Sequence, residues 1–129
     1  MIYCPYIFKM RISEQKINKI LRNQIIRTLA QTLADFNKTD QMEVFLKDFF
    51  NDSELETFAK RLAVAYWLRK KRSYVNIKEN LKVSSATIAS IQDTLERPGM
   101  KLAIKDMEAE EWANVWSEKI KGFINHKNA

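Results

Sequence analysis

The stretch SYVNIKENLKVSSATIASIQDTL, residues 73–95, decides the fold of this chain, because it predicts two short helices joined by a tight turn. Ser73 is placed to cap the first helix, since a serine oxygen in front of a helix accepts a hydrogen bond from a free backbone N–H. Ile77 and Leu81 lie four residues apart and share one face of that helix. The turn follows at Lys82, so the pattern is that of a helix-turn-helix.

The second helix of the pair begins after its own serine cap, Ser84. Its apolar positions are placed to face the first helix, and they are Val83, Ile88, Ile91 and Leu95. Its outward positions carry small and polar residues, with one cation at the end: Ala86, Ala89, Ser90, Asp93 and Arg97. Such a face fits deep into the major groove of DNA, which is about 12 Å wide and where the second helix of this motif reads base edges.

The same pattern also occurs in helical bundles that bind no nucleic acid, and charge separates the two interpretations. Residues 60–105 contain eleven basic and three acidic residues, a formal charge of +8, whereas the whole chain carries +6. Positive charge is therefore concentrated around the motif, as in proteins that bind a polyanion. We expect contacts with double-stranded DNA from Arg69, Lys70, Lys71, Arg72, Ser73, Lys78, Lys82, Ser84, Ser85, Ala86, Thr87, Ala89, Ser90 and Arg97.

Residues 54–95, ELETFAKRLAVAYWLRKKRSYVNIKENLKVSSATIASIQDTL, resemble the Trp repressor superfamily. The similarity is greatest to its branch of small uncharacterised regulators rather than to the tryptophan-sensing member, and it is sharpest at residues 61–65, 73–74 and 83–88. A weaker similarity covers residues 28–50. The resemblance implies an all-α fold and an intertwined homodimer that presents two recognition helices to a roughly palindromic operator.

Two positions depart from the pattern of that family. Its tryptophan-sensing member holds the ligand between two arginines, of which one corresponds to Arg61 and the other to Ser90. Serine cannot make the forked pair of hydrogen bonds that an arginine makes with a carboxylate, so tryptophan is not expected as a ligand. Lys82 stands where the turn usually has glycine, and a side chain in a left-handed conformation costs about 1 kcal/mol there.

A long helix is predicted over residues 13–36, with apolar residues at a four-residue spacing. Because a helix has 3.6 residues per turn, this apolar strip winds around the helix and needs more than one neighbour. The helix lies either in the middle of its own monomer's core or in a dimer that exchanges it between subunits, and the family resemblance favours exchange. The residues assigned to the dimer interface are Ile17, Leu21, Ile25, Leu29 and Leu33.

Two capping boxes predict the starts of the next two helices. Asp40 and Glu43 form the first box, and Asn51 and Glu54 form the second, which begins a helix that runs to the basic residues 69–72. The helix dipole favours one or two cations at such an end, whereas phosphate contacts explain all four together.

Pro98 and Gly99 are expected to end the recognition helix. A further amphipathic helix, extra to the motif, is predicted over residues 105–127, with an acidic first half that would shield this end from DNA. Its tryptophans at positions 112 and 116 fit core packing or, alternatively, an interface. The predicted organisation is a flexible segment over residues 1–12, a Trp repressor-like domain over 13–97 with the helix-turn-helix at 73–97, and a C-terminal helical extension over 98–129.

Several classes of function lack the residues that they require. One cysteine and one histidine build neither a disulfide nor a zinc site within a chain. Glycine loops for phosphate, a nucleophile elbow and a histidine base are missing, so neither an enzyme nor a cofactor is expected. No window approaches the roughly 18 apolar residues of a membrane span, and signal-peptide features are missing, so a cytoplasmic protein is expected.

Two functions remain. The first is a sequence-specific DNA-binding transcriptional regulator, a repressor that acts as a homodimer on a palindromic operator. The second is a helical protein-interaction module that retains the fold without specific DNA recognition. The outward face of the recognition helix favours the second, because it offers no arginine for guanine, the commonest specific contact. The concentration of positive charge around the motif favours the first.

Overall fold

The computed structural model describes residues 16–111, and their regular structure is entirely helical. The helices are α1 (Lys19–Asp35), α2 (Thr39–Phe49), α3 (Asp52–Arg69), α4 (Tyr74–Leu81), α5 (Ser85–Gln92) and α6, which begins at residue 98 and continues to residue 111. The predicted segment 1–12 and the two C-terminal tryptophans lie outside the described residues. The chain divides into two compact units, Met1–Thr57 and Phe58–Ala129. Within residues 16–111, no helix is long and apolar enough to cross a membrane.

Helix α1 starts later than the sequence predicts. Its N-cap is Asn18, whose side-chain oxygen accepts a hydrogen bond from the backbone N–H of Ile20 at 2.7 Å. Residues 16–18 are not helical, so the prediction of one helix from position 13 is wrong. Asparagine is as good an N-cap as serine, and Asn18 directly precedes the regular turns of α1. No residue of α1 is buried, and Leu21, Ile25 and Leu29 are 48%, 51% and 39% exposed.

Helix α2 begins at Thr39 without a side-chain cap, so the capping box predicted from Asp40 and Glu43 is wrong. Glu43 instead forms an ion pair with Lys47 one turn later, at 3.0 Å. An aromatic cluster joins α2 to the residues on either side of it, with neighbouring ring centroids 5.1 to 5.2 Å apart along Phe36, Phe45, Phe49 and Phe50.

The start of α3 matches the prediction. The side-chain oxygen of Asn51 accepts a hydrogen bond from the Glu54 N–H at 2.8 Å, and a Glu54 carboxylate oxygen accepts one from the Asn51 N–H at 3.1 Å. These reciprocal hydrogen bonds satisfy backbone donors that a helix start leaves without intrahelical partners.

The buried core of residues 16–111 lies in the second unit, where α3, α4, α5 and α6 all contribute to it. Full burial of an aliphatic side chain stabilises a fold by roughly 1.5–3 kcal/mol, so this core positions the two helices of the motif. Its members are Val64, Ala65 and Leu68 of α3, Ile77 of α4, Ile88 and Ile91 of α5, Leu95 of the following turn and Ile104 of α6.

The end of the recognition helix differs from the prediction in two respects. Helix α5 ends at Gln92, and Leu95 reaches the core from a turn rather than from the helix. Pro98 and Gly99 belong to the first turn of α6, so that helix begins well before Lys105. Proline ends a preceding helix and also suits the first position of the next one, because its missing N–H would be unpaired there in any case.

Candidate nucleic-acid interface

Serine caps fix the starts of the two helices of the motif, as predicted. Ser73 Oγ accepts a hydrogen bond from the backbone N–H of Asn76, and Ser84 Oγ accepts one from that of Thr87, both at 3.1 Å. The hydroxyl oxygens of Ser84 and Thr87 also lie within hydrogen-bond distance of each other, at 2.9 Å. Caps of this kind each contribute about 1 kcal/mol, so both helix starts are defined by local sequence.

The turn between α4 and α5 is left-handed at Lys82, with φ 55° and ψ 50°, which is the conformation whose cost is given above. The N–H of Lys82 donates to the carbonyl oxygen of Lys78 at 3.0 Å and so closes the end of α4. The strain of a side chain in this conformation, on the order of 1 kcal/mol, is therefore present in the structure.

A second left-handed lysine, Lys71, follows the end of α3. This conformation was not predicted from the sequence. Lys71 has φ 64°, its N–H donates to the carbonyl of Leu68 at 3.0 Å, and the N–H of Arg72 donates to that of Trp67 at 3.1 Å. These two bonds form a Schellman motif, which usually places glycine in the left-handed position. With four consecutive basic residues and no glycine, the sequence carries no signal for which residue adopts that conformation.

Helix α5 separates cleanly into two faces. Ile88 and Ile91 are buried against the rest of the core, as the spacing predicts. Every other residue of the helix is exposed, and Asp93 and Arg97 beyond its end are exposed as well. The exposed face of α5 consists of Ser85, Ala86, Thr87, Ala89, Ser90 and Gln92.

The basic residues 69–72 do not form one uniform surface. Arg69 Nε lies 3.9 Å from a carboxylate oxygen of Glu108, and Lys70 Nζ lies 3.2 Å from one of Glu111. The guanidinium of Arg72 lies 4.5 Å from the ring centroid of Trp67. Because both ion pairs are exposed, each is worth only about 0–1 kcal/mol, and an incoming phosphate can displace them.

The remaining predicted cations are exposed: Lys71 and Lys82 at the two left-handed positions, Lys78 on α4, and Arg97 before α6. Lys71 precedes α4 and Lys82 follows it, so positive charge is placed at both ends of that short helix. The structure therefore surrounds the motif with cations that extend into solvent.

Arg61, the position that resembles half of a tryptophan clamp, is exposed, and its guanidinium lies 5.6 Å from the ring centroid of Phe58. Ser90 lies on the exposed face of α5 and brings no second cation to a clamp. Residues 16–111 also contain no group of three acidic, histidine or cysteine side chains that would hold a metal ion.

The motif consists of two capped helices with a tight left-handed turn between them, and exposed basic residues lie around it. These features define a helix-turn-helix domain of the DNA-binding class. The chain matches the family model described as "Trp repressor protein" over residues 24–108, which is more than half of its length, and it belongs to that family. No curated protein and no solved structure gives a significant match. The family match supports a DNA-binding regulator rather than an enzyme.

Proposed function

We propose that this protein is a sequence-specific DNA-binding transcriptional regulator, a repressor that acts as a homodimer on a palindromic operator. The observation that carries the proposal is the exposed face of α5, which is small and polar although the opposite face is fully buried. The buried hydrophobic face holds the helix in position, and the short side chains of the exposed face allow the helix to approach base edges closely. In this arrangement α5 enters the major groove and α4 crosses the DNA backbone.

Positive charge supports phosphate contacts on both sides of α5. Lys71, Lys78, Lys82 and Arg97 are exposed and lie before, within or after the motif, where backbone contacts position a recognition helix. Arg69 and Lys70 would join them once phosphates replace Glu108 and Glu111, because the two exposed ion pairs are weak.

The apolar strip of α1 supports a homodimer. No residue of this 17-residue helix is buried in a single chain, although Leu21, Ile25 and Leu29 line one side of it. A second copy that exchanges this helix would cover the strip. Pairing also suits the motif, because two recognition helices about 34 Å apart meet successive major grooves.

The effector site of the tryptophan-sensing member has no counterpart in this proposal. Arg61 is positioned beside Phe58, and Ser90 offers a hydroxyl where a second arginine would be needed. A lone exposed guanidinium binds a carboxylate weakly in water. We therefore propose regulation without tryptophan.

Binding to duplex DNA at increasing salt tests the proposal. Wild-type affinity should fall steeply between 50 and 200 mM salt, since each neutralised phosphate contributes about 0.9 to the slope of log K against log salt. Replacing Lys78 and Lys82 together by alanine should weaken binding to all duplexes and reduce the slope by about 0.9 for each phosphate that is no longer neutralised. The matched control, Lys38→Ala with Lys47→Ala, removes the same charge from α2 and its N-cap and should retain most of the slope.

The alternative function makes the opposite forecast. A helical interaction module without DNA recognition would bind duplexes weakly or not at all, and the two double variants would behave alike. That result would contradict the DNA-binding proposal.

A further inference from the structure

We infer that α5 reads A·T base pairs, and that the methyl groups of Ala86 and Ala89 contact thymine methyl groups on neighbouring base pairs of the operator. This inference rests on the proposed DNA-binding function and adds the class of base pair that the protein selects.

The first step is the chemistry that α5 exposes. Arginine and lysine, which read guanine by paired hydrogen bonds, do not occur between residues 85 and 92. The exposed amide of this helix, Gln92, is its last residue and lies outside the first two turns, so it is not counted among the base contacts. The remaining exposed groups of the helix are hydroxyls and methyls, namely those of Ser85, Ala86, Thr87, Ala89 and Ser90.

The hydroxyls supply little discrimination. Thr87 shares a hydrogen bond with Ser84 at the start of the helix, so the two oxygens are already engaged with each other. Ser85 and Ser90 can donate or accept, and serine contacts therefore occur with more than one base. Selectivity thus falls to the methyl groups, and thymine is the base that presents a methyl group in the major groove.

The two alanines lie about 1 Å farther apart along the helix axis than neighbouring bases do along a strand, which is close enough for each alanine to reach its own base pair. Ala86 and Ala89 are three residues apart and share one side of the helix, separated by about 4.5 Å along its axis. Successive base pairs are about 3.4 Å apart along each strand. Because an alanine side chain ends at Cβ, contact requires the helix backbone itself to come close to the bases, and the neighbouring serines leave room for that approach.

The acidic residue at the other end of α5 directs this approach. Asp93 is exposed immediately after the helix, seven residues beyond Ala86 on the same side. Its carboxylate is repelled by the phosphates that border the groove, so the end of α5 near Asp93 stays farthest from the DNA. Base contacts are left to the first two turns, where recognition helices of this motif make them.

The experiment has two stages and uses the full chain. Selection from random-sequence duplexes first identifies the preferred site, and we expect adjacent A·T pairs within each half-site. Thymines at those pairs are then replaced, one at a time in one half-site, by deoxyuridine, which lacks the methyl group. Removing one buried methyl group from the interface should weaken binding about fourfold.

Glycine variants assign the contact to particular side chains. In Ala86→Gly or Ala89→Gly, the deoxyuridine replacement at the matching position should have no effect, because the partner methyl group is already absent. The ratio of affinities for the two duplexes is taken within each variant, so a loss of helix stability from glycine cancels. Ala109→Gly makes the same change at an exposed position of α6 and should retain the fourfold ratio.

The outcomes separate this inference from the function on which it rests. If no duplex is bound in a salt-sensitive manner, the DNA-binding function itself fails. If duplexes are bound but no sequence is enriched, sequence-specific regulation fails and the inference with it. An enriched site that lacks adjacent A·T pairs, or whose affinity is indifferent to deoxyuridine, overturns the inference while the regulator stands.

Discussion

Two lysines occupy left-handed backbone positions, where proteins usually have glycine. Lys71 and Lys82 are the non-glycine residues with positive φ among residues 16–111, at 64° and 55°. Each conformation costs on the order of 1 kcal/mol with a side chain present. Both positions lie in the most basic part of the chain. Each lysine lowers the free energy of unfolding and adds a positive charge beside the proposed DNA surface.

Replacing Lys82 by glycine should therefore have opposite effects on stability and binding. We expect the free energy of unfolding to rise by up to about 1 kcal/mol, because glycine relieves the left-handed strain. DNA affinity should fall, since one cation is removed. Urea denaturation measures the first effect, and duplex titration measures the second.

Lys78 provides the control for this change. It lies within α4, where Lys78→Gly should lower the free energy of unfolding by about 1 kcal/mol through loss of helix propensity. If Lys82→Gly lowers stability by a similar amount, the left-handed turn is not a source of strain and the expectation is wrong.

At the scale of helices, the main relation is between the end of α3 and the acidic side of α6. The sequence predicts that the acidic first half of the C-terminal helix shields its own end of the chain from DNA, and this stays a prediction. In the structure, two of these acids form ion pairs at the end of α3, Glu108 with Arg69 and Glu111 with Lys70. These acids hold the same cations that phosphates would use. They should therefore moderate the affinity for all DNA sequences.

Removing one of these acids should tighten DNA binding. Glu111→Gln frees Lys70 and removes a negative charge, so duplex affinity at low salt should rise several-fold while the free energy of unfolding changes by less than about 1 kcal/mol. Glu110→Gln removes the same charge from the adjacent exposed position, outside both ion pairs, and should have a smaller effect. Equal effects of the two variants would show that net charge alone, and not the ion pair, sets the affinity.

Features that depend on residues close together in the sequence could be predicted, and features that depend on distant residues could not. The caps at Asn51, Ser73 and Ser84 were predictable, because each depends on residues within three positions. The inward positions of α5 were also predictable, since helical periodicity assigns them.

Boundaries and partners at longer range were harder to predict. Pro98 can end one helix or begin another, and in the structure it begins α6, which brings Ile104 into the core. Of four consecutive cations, the sequence could not tell which face Glu108 and Glu111, because the contact joins residues about forty positions apart.

At the scale of the whole molecule, the buried apolar residues are confined to one part of the described chain. Among residues 16–111, the eight buried hydrophobic residues fall between Val64 and Ile104, whereas α1 and α2 contain none. The apolar strip of α1 is about half exposed, so each of its side chains forgoes part of the roughly 1.5–3 kcal/mol that full burial provides. The proposed homodimer would cover this strip.

If the protein is a homodimer, its stability should depend on protein concentration. Unfolding midpoints should rise with protein concentration, because association stabilises the folded state by mass action. Leu29→Asp places a charge in the apolar strip and should shift sedimentation toward the monomer and lower the midpoint. Asn23→Asp adds the same charge on α1 outside the strip and should leave both unchanged. A wild-type midpoint independent of concentration would contradict the dimer.

The separation of the buried core from the apolar strip has an evolutionary consequence. The residues that hold α4 and α5 in place lie between Val64 and Ile104. If the proposed homodimer forms through α1, substitutions in that helix would change which chains pair without disturbing the proposed DNA surface. Duplicated copies could then diverge into mixed pairs, each half keeping its own base preference. Such pairs would recognise asymmetric sites, and new regulatory specificities would arise by recombining existing halves.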